Sequence, residues 1–144
     1  MKVALLVTGA LLLFGIGGFY FLGQKSQSGT APGLSNGRLS ACPSSPNCVC
    51  SEGGTPEEKR VDILPAEVWV RLPDAIARMG GNVTAEDTGY LAAEFTSDTF
   101  KFVDDLEFRR TDDGVHVRSA SRVGYSDRGV NAARVATLRT ALGL

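Results

Sequence analysis

The chain has 144 residues, with 15 lysines and arginines against 16 aspartates and glutamates. This near balance excludes the broadly basic surface of a typical nucleic-acid-binding protein, so no nucleic-acid partner is expected. Without the apolar N-terminus and the linker after it, about 100 residues remain, the usual size of a domain with one hydrophobic core.

The charges are unevenly distributed along the chain. Residues 86–113 contain nine acidic and three basic residues, whereas the segment from Arg118 onward contains five arginines and one acidic residue, Asp127. Adjacent segments of opposite sign usually neutralise each other within one fold. We therefore expect ion pairs between the two segments rather than two separate charged partners.

The N-terminus carries an uncharged, largely apolar run of 21 residues, residues 3–23. As a helix this run would span about 30 Å, enough to cross a bilayer. A cleaved signal peptide with its site at Ser26–Ser28 is the alternative, but its apolar core is typically only about 7–15 residues. We predict an uncleaved anchor over residues 1–25, with membrane contact through residues 3–23. Lys2 and Lys25 flank the run, so the positive-inside bias is weak, and we place the N-terminus in the cytoplasm.

A flexible linker over residues 26–41 is predicted next, because residues 24–38 are rich in Gly, Ser, Thr, Asn and Pro. The remaining residues, 42–144, are assigned to one domain. Leu39–Cys42 is similar to a bacterial lipobox, whose cysteine is acylated after signal cleavage. Such a box should directly follow the apolar run, and here the linker intervenes, so we do not predict lipidation of Cys42.

All three cysteines lie in C-P-S-S-P-N-C-V-C-S, residues 42–51. Cys42 and Cys48 flank a loop that two prolines stiffen, and outside the cytoplasm they would tend to form a disulfide worth about 2–3 kcal/mol. A zinc site of Cys42, Cys48, Cys50 and His116 is an alternative, but its spacing is not that of familiar zinc sites. Thiol redox catalysis, which lacks a Cys-x-x-Cys pair, and reduced free thiols also remain open. We predict neither a metal nor a cofactor.

The domain shows a helical pattern followed by four strands and a second helix. Apolar residues at helical spacing run from Pro65 to Met79, and Pro73 predicts a kink or two short helices joined near Leu72. Strands are predicted at 83–86, 90–96, 102–109 and 115–121, and Asn131 is the expected N-cap of a helix ending at Leu142. The fold class is therefore α+β, a two-layer domain with a four-stranded antiparallel sheet and both helices on one face.

The last two strands allow a prediction of register. A loop centred on residues 112–113 pairs Phe108 with Val117 and Asp104 with Ser121. Asp104 then shares the core face with Phe108, and a buried structural role is favoured over a catalytic one. The opposite face, expected to be exposed to solvent, carries a ladder of opposite charges: Asp105, Glu107, Arg118 and Arg122. His116 falls on this solvent-side face.

Three motifs together resemble a known family. They are the cysteine segment at 42–51, F-V-D-D-L-E-F at 102–108 and V-R-S-A-S-R-V-G-Y-S-D-R-G-V-N at 117–131. In this order they resemble the domain of unknown function 1499 family over residues 38–142, although Cys50 stands where the family usually has serine. The family has no agreed activity. Its members resemble this chain in being bacterial envelope or plastid-associated proteins, which implies a bacterial inner-membrane protein, single-pass, with its domain on the periplasmic side.

The segment from Arg118 to Arg134 is the candidate binding surface, because it combines four arginines with hydroxyl groups and a loop that Gly124 and Gly129 make flexible. The candidate binding residues are Arg118, Ser119, Ser121, Arg122, Tyr125, Asp127, Arg128, Asn131, Arg134, Asp104 and Asp105. The leading hypothesis is a non-enzymatic, membrane-anchored envelope module that binds an anionic small molecule, a lipid headgroup or a protein partner. The alternatives are a hydrolase or transferase that uses Asp104 and Asp105 with Arg118 and Tyr125, and a purely structural scaffold subunit.

Overall fold

The computed structural model describes the backbone of residues 2–144 and the side chains of residues 15–144. It begins with helix α1, Lys2–Gln27. The predicted membrane-spanning run, residues 3–23, falls mostly on residues 1–14, whose side chains lie outside the described part. Among the residues that the structure describes, no helix is both long enough and apolar enough to cross a membrane.

The domain is built on one antiparallel sheet of five strands, with a separate two-stranded hairpin. The strands are β1 Leu34–Ser35, β2 Arg38–Leu39, β3 Cys48–Cys50, β4 Asn82–Glu86, β5 Tyr90–Thr96, β6 Val103–Thr111 and β7 Gly114–Ser121. The large sheet has the order β3-β7-β6-β5-β4, and β1 pairs with β2. The α+β class is therefore confirmed, but the predicted count of four strands is wrong.

The missed fifth strand is β3, which pairs with the outer edge of β7. It has only three residues, and prolines and serines precede it, so nothing in the local pattern of side chains distinguishes it from a loop. Its partner supplies the strand geometry: Val49 lies opposite Ser119, and Cys48 lies opposite Ala120.

The predicted register of β6 and β7 is confirmed. Phe108 lies opposite Val117, and Asp104 lies opposite Ser121. Leu106 and Phe108 are fully buried on the face that the helices cover. The four predicted strands, β4–β7, all form close to their expected bounds.

The helices cover one face of the sheet and enclose the core. A 3-10 helix spans Glu57–Lys59, a second spans Ala66–Arg71, helix α2 spans Leu72–Arg78, and helix α3 spans Val130–Leu142. Pro73 therefore follows the end of the second 3-10 helix and lies in the first turn of α2. At this position a backbone N–H would have no partner within the helix, so its absence in proline loses no hydrogen bond. Trp69, Leu72 and Leu138 pack in the same core cluster as Phe108.

The start of α3 differs from the prediction. The helix begins at Val130, and Gly129, with a φ of 83°, takes the N-cap position. Asn131 is instead fully buried inside the domain. The Asp127 carboxylate accepts hydrogen bonds from the amides of Gly129 (3.0 Å) and Asn131 (2.8 Å), so an aspartate upstream satisfies amides at the start of the helix.

The second face of the sheet is not exposed, contrary to expectation. Residues 26–41, predicted to be a flexible linker, lie against it: the Gly33 amide donates to Glu107, and Leu39 is buried. Asp105, Glu107 and Arg118 are consequently buried. Composition alone predicted a flexible segment, but the buried carboxylates of Glu107 and Glu52 accept hydrogen bonds from its amides and hold it on the domain.

The C-terminal end of α1 contacts the tip of the β5–β6 hairpin. The Phe19 ring stacks on Phe100 with 5.4 Å between centroids. Ser26 is fully buried, and its hydroxyl accepts a 3.0 Å hydrogen bond from the Val103 amide. At Gly23 an added Cβ would collide with the Phe100 carbonyl oxygen. This end of α1 is therefore packed onto the domain.

Candidate functional site

A polar cavity of about 460 Å³ lies between the end of α1 with the following residues and the C-terminal end of β7. Its lining includes Lys25, Arg118 and Arg122, together with the carboxylate residue Asp105. Four of the eleven predicted binding residues line this cavity: Asp105, Arg118, Ser121 and Arg122. We call it the polar cavity.

Arg118 forms a buried ion pair on the floor of this region. Its Nη1 donates to Glu107 Oε2 at 2.8 Å, and only 7% of the residue is exposed. Glu107 also accepts hydrogen bonds from the Tyr90 hydroxyl at 2.7 Å and the Gly33 amide at 3.0 Å. Burial and the bond to Glu107 raise the pKa of Tyr90. The Arg118 Nε is buried and finds no acceptor among the described residues.

Arg122 is held by two carboxylates. Its Nε and Nη2 donate to the two oxygens of Asp105 at 2.9 and 2.6 Å, and Nη2 also bonds Glu94. The remaining Nη1 donates to the Ser26 carbonyl at 3.1 Å. The hydrogen bond to Asp105 is the main reason that the pKa of Arg122 is raised. This guanidinium therefore fixes the end of α1 to the sheet.

The helix-side face carries a second network, centred on Asn131. Its Nδ2 donates to the Asn47 carbonyl at 3.1 Å, and its Oδ1 accepts from the Ser119 hydroxyl at 2.6 Å and from Arg134 Nη1 at 2.6 Å. Arg134 continues the network to Asp104 at 2.7 Å. This network joins the residue before β3 to β6, β7 and α3, so Ser119, Asn131 and Arg134 hold the fold together.

Asp104 and Asp105 lie on opposite faces of β6. Asp104 pairs with Arg134 beneath α3, whereas Asp105 pairs with Arg122 on the face toward residues 26–32. Consecutive residues of a strand alternate between faces, so the two carboxylates do not converge on one substrate position. Each is also matched by an arginine.

A second, mostly apolar cavity of about 400 Å³ lies on the other side of the β7 end. Residues from α1, from the β5–β6 turn with the start of β6, and from the segment 121–130 line it, among them Phe19, Leu22 and Phe102. Asp104, Ser121, Tyr125 and Asp127 also line it. We call it the apolar cavity. Seven of the eleven predicted binding residues thus line one or both of the cavities, which share Ser121 and Val123, and the other four, Ser119, Arg128, Asn131 and Arg134, line neither.

Arg128 and Tyr125 are exposed on the loop between β7 and α3. Tyr125 is 77% exposed. Of the four arginines in the candidate segment, Arg128 alone makes no ion pair with any described residue. The prediction of ion pairs between the acidic and the basic segment is therefore confirmed for the other three arginines.

The cysteine segment holds the predicted disulfide. Cys42 and Cys48 are bonded, with their Cα atoms 5.6 Å apart. Because this bond uses both thiols, the alternative zinc set of three cysteines and His116 cannot form in this state. Cys50 is a free thiol with no exposed surface, and burial raises its pKa. Within residues 15–144, no group of three or more His, Cys, Asp or Glu side chains is placed to hold a metal.

Glu52 is a structural residue that sequence reasoning missed. It is 4% exposed, and Arg109 donates to both of its oxygens at 2.7 and 3.0 Å. The Leu39 amide donates at 3.1 Å, which attaches the β1–β2 hairpin to the sheet. Lys25 and Ser26 were also missed, because only the packing of α1 on the sheet brings them to the site. Glu94 was missed as well, and the register of β5 with β6 places it opposite Asp105, where it bonds Arg122. His116, expected at the surface, is partly buried, with Nδ1 3.2 Å from the Ser51 hydroxyl.

A family model described as "Protein of unknown function (DUF1499)" matches residues 38–142. The chain belongs to the DUF1499 family. No curated protein and no solved structure matches it. The DUF1499 match takes in the five-stranded sheet, the disulfide and both helices of the core, whereas the α1 residues that help to form the two cavities lie outside it.

Proposed function

We propose that this chain is a membrane-anchored, non-enzymatic envelope module that binds a small anionic ligand in the polar cavity. The observation that carries this proposal is the lining of the polar cavity, where Lys25, which makes no ion pair with the described side chains, lies with the guanidinium groups of Arg118 and Arg122. Lysine and arginine side chains bind carboxylate and phosphate oxygens through charge-assisted hydrogen bonds.

The charges around the cavity favour an anion with few negative charges. Arg118 and Arg122 each have carboxylate partners, so they supply directed N–H groups more than net positive charge. Lys25 lines the cavity and makes no ion pair with the described side chains. One carboxylate or phosphate oxygen, bound by Lys25 and Arg118, would suit this arrangement. The paired arginines are already held in place, which lowers the entropic cost of binding.

The anchor is the apolar run at 3–23, and the packing of the end of α1 supports it as a rigid attachment. Ser26 is buried, and Arg122 donates to its carbonyl oxygen. A domain fixed in this way would stay close to the surface of the bacterial inner membrane. We place it on the periplasmic side, where the Cys42–Cys48 disulfide would persist.

The opposed orientation of Asp104 and Asp105 argues against the hydrolase or transferase alternative. A catalytic carboxylate pair must reach one substrate together. The scaffold alternative predicts that the polar cavity binds nothing, so a binding measurement decides between it and the present proposal.

The test is a titration of the full chain in phosphatidylcholine nanodiscs with inorganic phosphate, and separately with acetate, by calorimetry. We expect saturable binding of at least one anion, and Lys25→Gln should weaken it about tenfold, the equivalent of ~1.4 kcal/mol. Arg110→Gln is the matched control, because Arg110 is exposed, makes no ion pair with the described residues and lines neither cavity. The proposal fails if neither anion binds or if Lys25→Gln binds like the wild type.

A further inference from the structure

The apolar cavity has the composition of a ligand site. Its volume of about 400 Å³ falls within the usual range of small-molecule pockets, roughly 300–1,000 Å³. Phe19, Leu22, Phe102 and Val130 contribute apolar surface, while Asp104 and Ser121 lie among its polar lining residues. Its lining contains no lysine or arginine among the described residues, so the cavity offers no positive charge to an anion.

One wall of this cavity belongs to α1, the helix that carries the predicted anchor. Phe19 and Leu22 lie three residues apart on one side of α1. The contacts of Phe19 with Phe100 and Phe102, at centroid distances of 5.4 and 6.4 Å, hold this side of the helix against the domain. The cavity therefore lies where the anchor meets the domain.

Apolar side chains continue outward from this junction. On α1, Ile16, Tyr20 and Phe21 are 55%, 59% and 69% exposed. Tyr125 and Val130, which line the cavity, are 77% and 48% exposed. Exposed apolar surface of this extent, with aromatic rings at the end of a membrane helix, is typical of the level where a protein meets the lipid chains.

We infer that the apolar cavity binds an acyl chain of a membrane lipid. The inference rests on the membrane anchoring proposed above but not on the anion site. A lipid chain reaches the cavity along the exposed side of α1 without crossing water, and it replaces water at the apolar walls. The site thus differs from the polar cavity in ligand chemistry and in the residues that control it.

The test uses the full chain in phosphatidylcholine nanodiscs that contain a phosphatidylcholine with a photoreactive diazirine on one acyl chain. This lipid is zwitterionic, and its headgroup phosphate could reach the anion site, so the Lys25→Gln variant separates that contribution from the binding of the acyl chain. We expect crosslinks at residues 102–103 and 122–130. Val130→Trp, which fills the cavity, should reduce them about tenfold, and Leu22→Trp should do the same from the opposite wall. Val70→Trp, at a position that is 79% exposed and lines neither cavity, is the matched control and should leave them unchanged.

The outcomes separate the two proposals. Crosslinks confined to residues 3–21, or undiminished in both tryptophan variants while the disulfide and helical content stay intact, overturn the acyl-chain site alone. If the wild-type chain does not float with phosphatidylcholine vesicles, the proposed membrane anchoring is overturned as well. Lys25→Gln should weaken anion binding and keep the crosslinks, and a reduction of both would contradict the separation of the sites.

Discussion

At the scale of single residues, burial determines how strongly each ion pair affects the stability of the protein. The register of β6 and β7 predicted the pairing of Glu107 with Arg118 and brought Asp105 close to Arg122, and the structure contains both ion pairs. The sequence placed them on an exposed face, where an ion pair contributes less than about 1 kcal/mol. In the structure both ion pairs are buried, and removing one partner of a buried ion pair strongly destabilises the protein. Periodicity identifies the face of a strand, but not the segment that later covers it.

Glu52 is another buried carboxylate with ion-pair partners, and the dependence of stability on pH tests its contribution. Burial alone would raise its pKa, but hydrogen bonds from Arg109, the Leu39 amide and Arg38 outweigh it and lower the pKa from 4.5 to about 2. Because the folded pKa is depressed, the stabilisation is present above pH 4.5 and is lost as the pH falls through 2. Each pKa unit corresponds to about 1.4 kcal/mol.

We predict that the difference in unfolding free energy between the wild type and Glu52→Gln falls by about 3 kcal/mol from pH 6 to pH 2. Urea unfolding at a series of pH values measures it. Glu58→Gln, at an exposed position, controls for the loss of one surface charge. A difference that stays constant with pH would show that the contacts of Glu52 do not stabilise its charged form.

At the scale of elements, the parts predicted well are those with a local signal. Strands β5, β6 and β7 alternate apolar and polar residues between clear turns, and Pro73 marks the boundary before α2. The parts predicted poorly are defined by distant partners. Strand β3 exists because β7 offers a free edge, and the hairpin of β1 and β2 lies on the sheet because Glu52 accepts the Leu39 amide and Glu107 accepts the amide of Gly33, just before β1.

The cysteine loop joins β3 to the rest of the domain through two kinds of contact. The Cys42–Cys48 disulfide closes the loop, and the Lys59 ammonium donates to the carbonyls of Pro43 and Ser45. On the chain-entropy model, so small a loop contributes about 2 kcal/mol. Without the disulfide, the three-residue strand β3 depends on its hydrogen bonds to β7 and on the burial of Cys48 and Cys50.

We predict that Cys42→Ser/Cys48→Ser lowers the free energy of unfolding by about 2 kcal/mol and reduces the protection of the amides of residues 48–50 against hydrogen exchange. The melting temperature of the wild type should fall when a reductant is added, and that of the double variant should not. Cys50→Ala, which keeps the disulfide, should remain sensitive to the reductant. A wild type indifferent to reductant would contradict a stabilising role for this bond.

At the scale of the whole molecule, the domain and the end of α1 form one unit. The family match ends at residue 38 on its N-terminal side, yet Phe19, Leu22 and Lys25 line the two cavities. The sequence indicated an anchor and a domain separately, and it located the candidate binding residues on β6, β7 and α3. It could not show that the end of α1 lines the cavities, because the contacts span more than 70 residues and involve single side chains such as Ser26.

The most direct test of this account is the affinity of the full chain for inorganic phosphate in phosphatidylcholine nanodiscs, compared between Gly23→Ala and Gly18→Ala. A Cβ at Gly23 meets the Phe100 carbonyl, whereas a Cβ at Gly18 has no atom within 4 Å. We predict that Gly23→Ala, by displacing Lys25 from the polar cavity, weakens phosphate binding about tenfold, whereas Gly18→Ala binds like the wild type. Equal affinity in both variants would contradict the claim that the end of α1 completes the binding site.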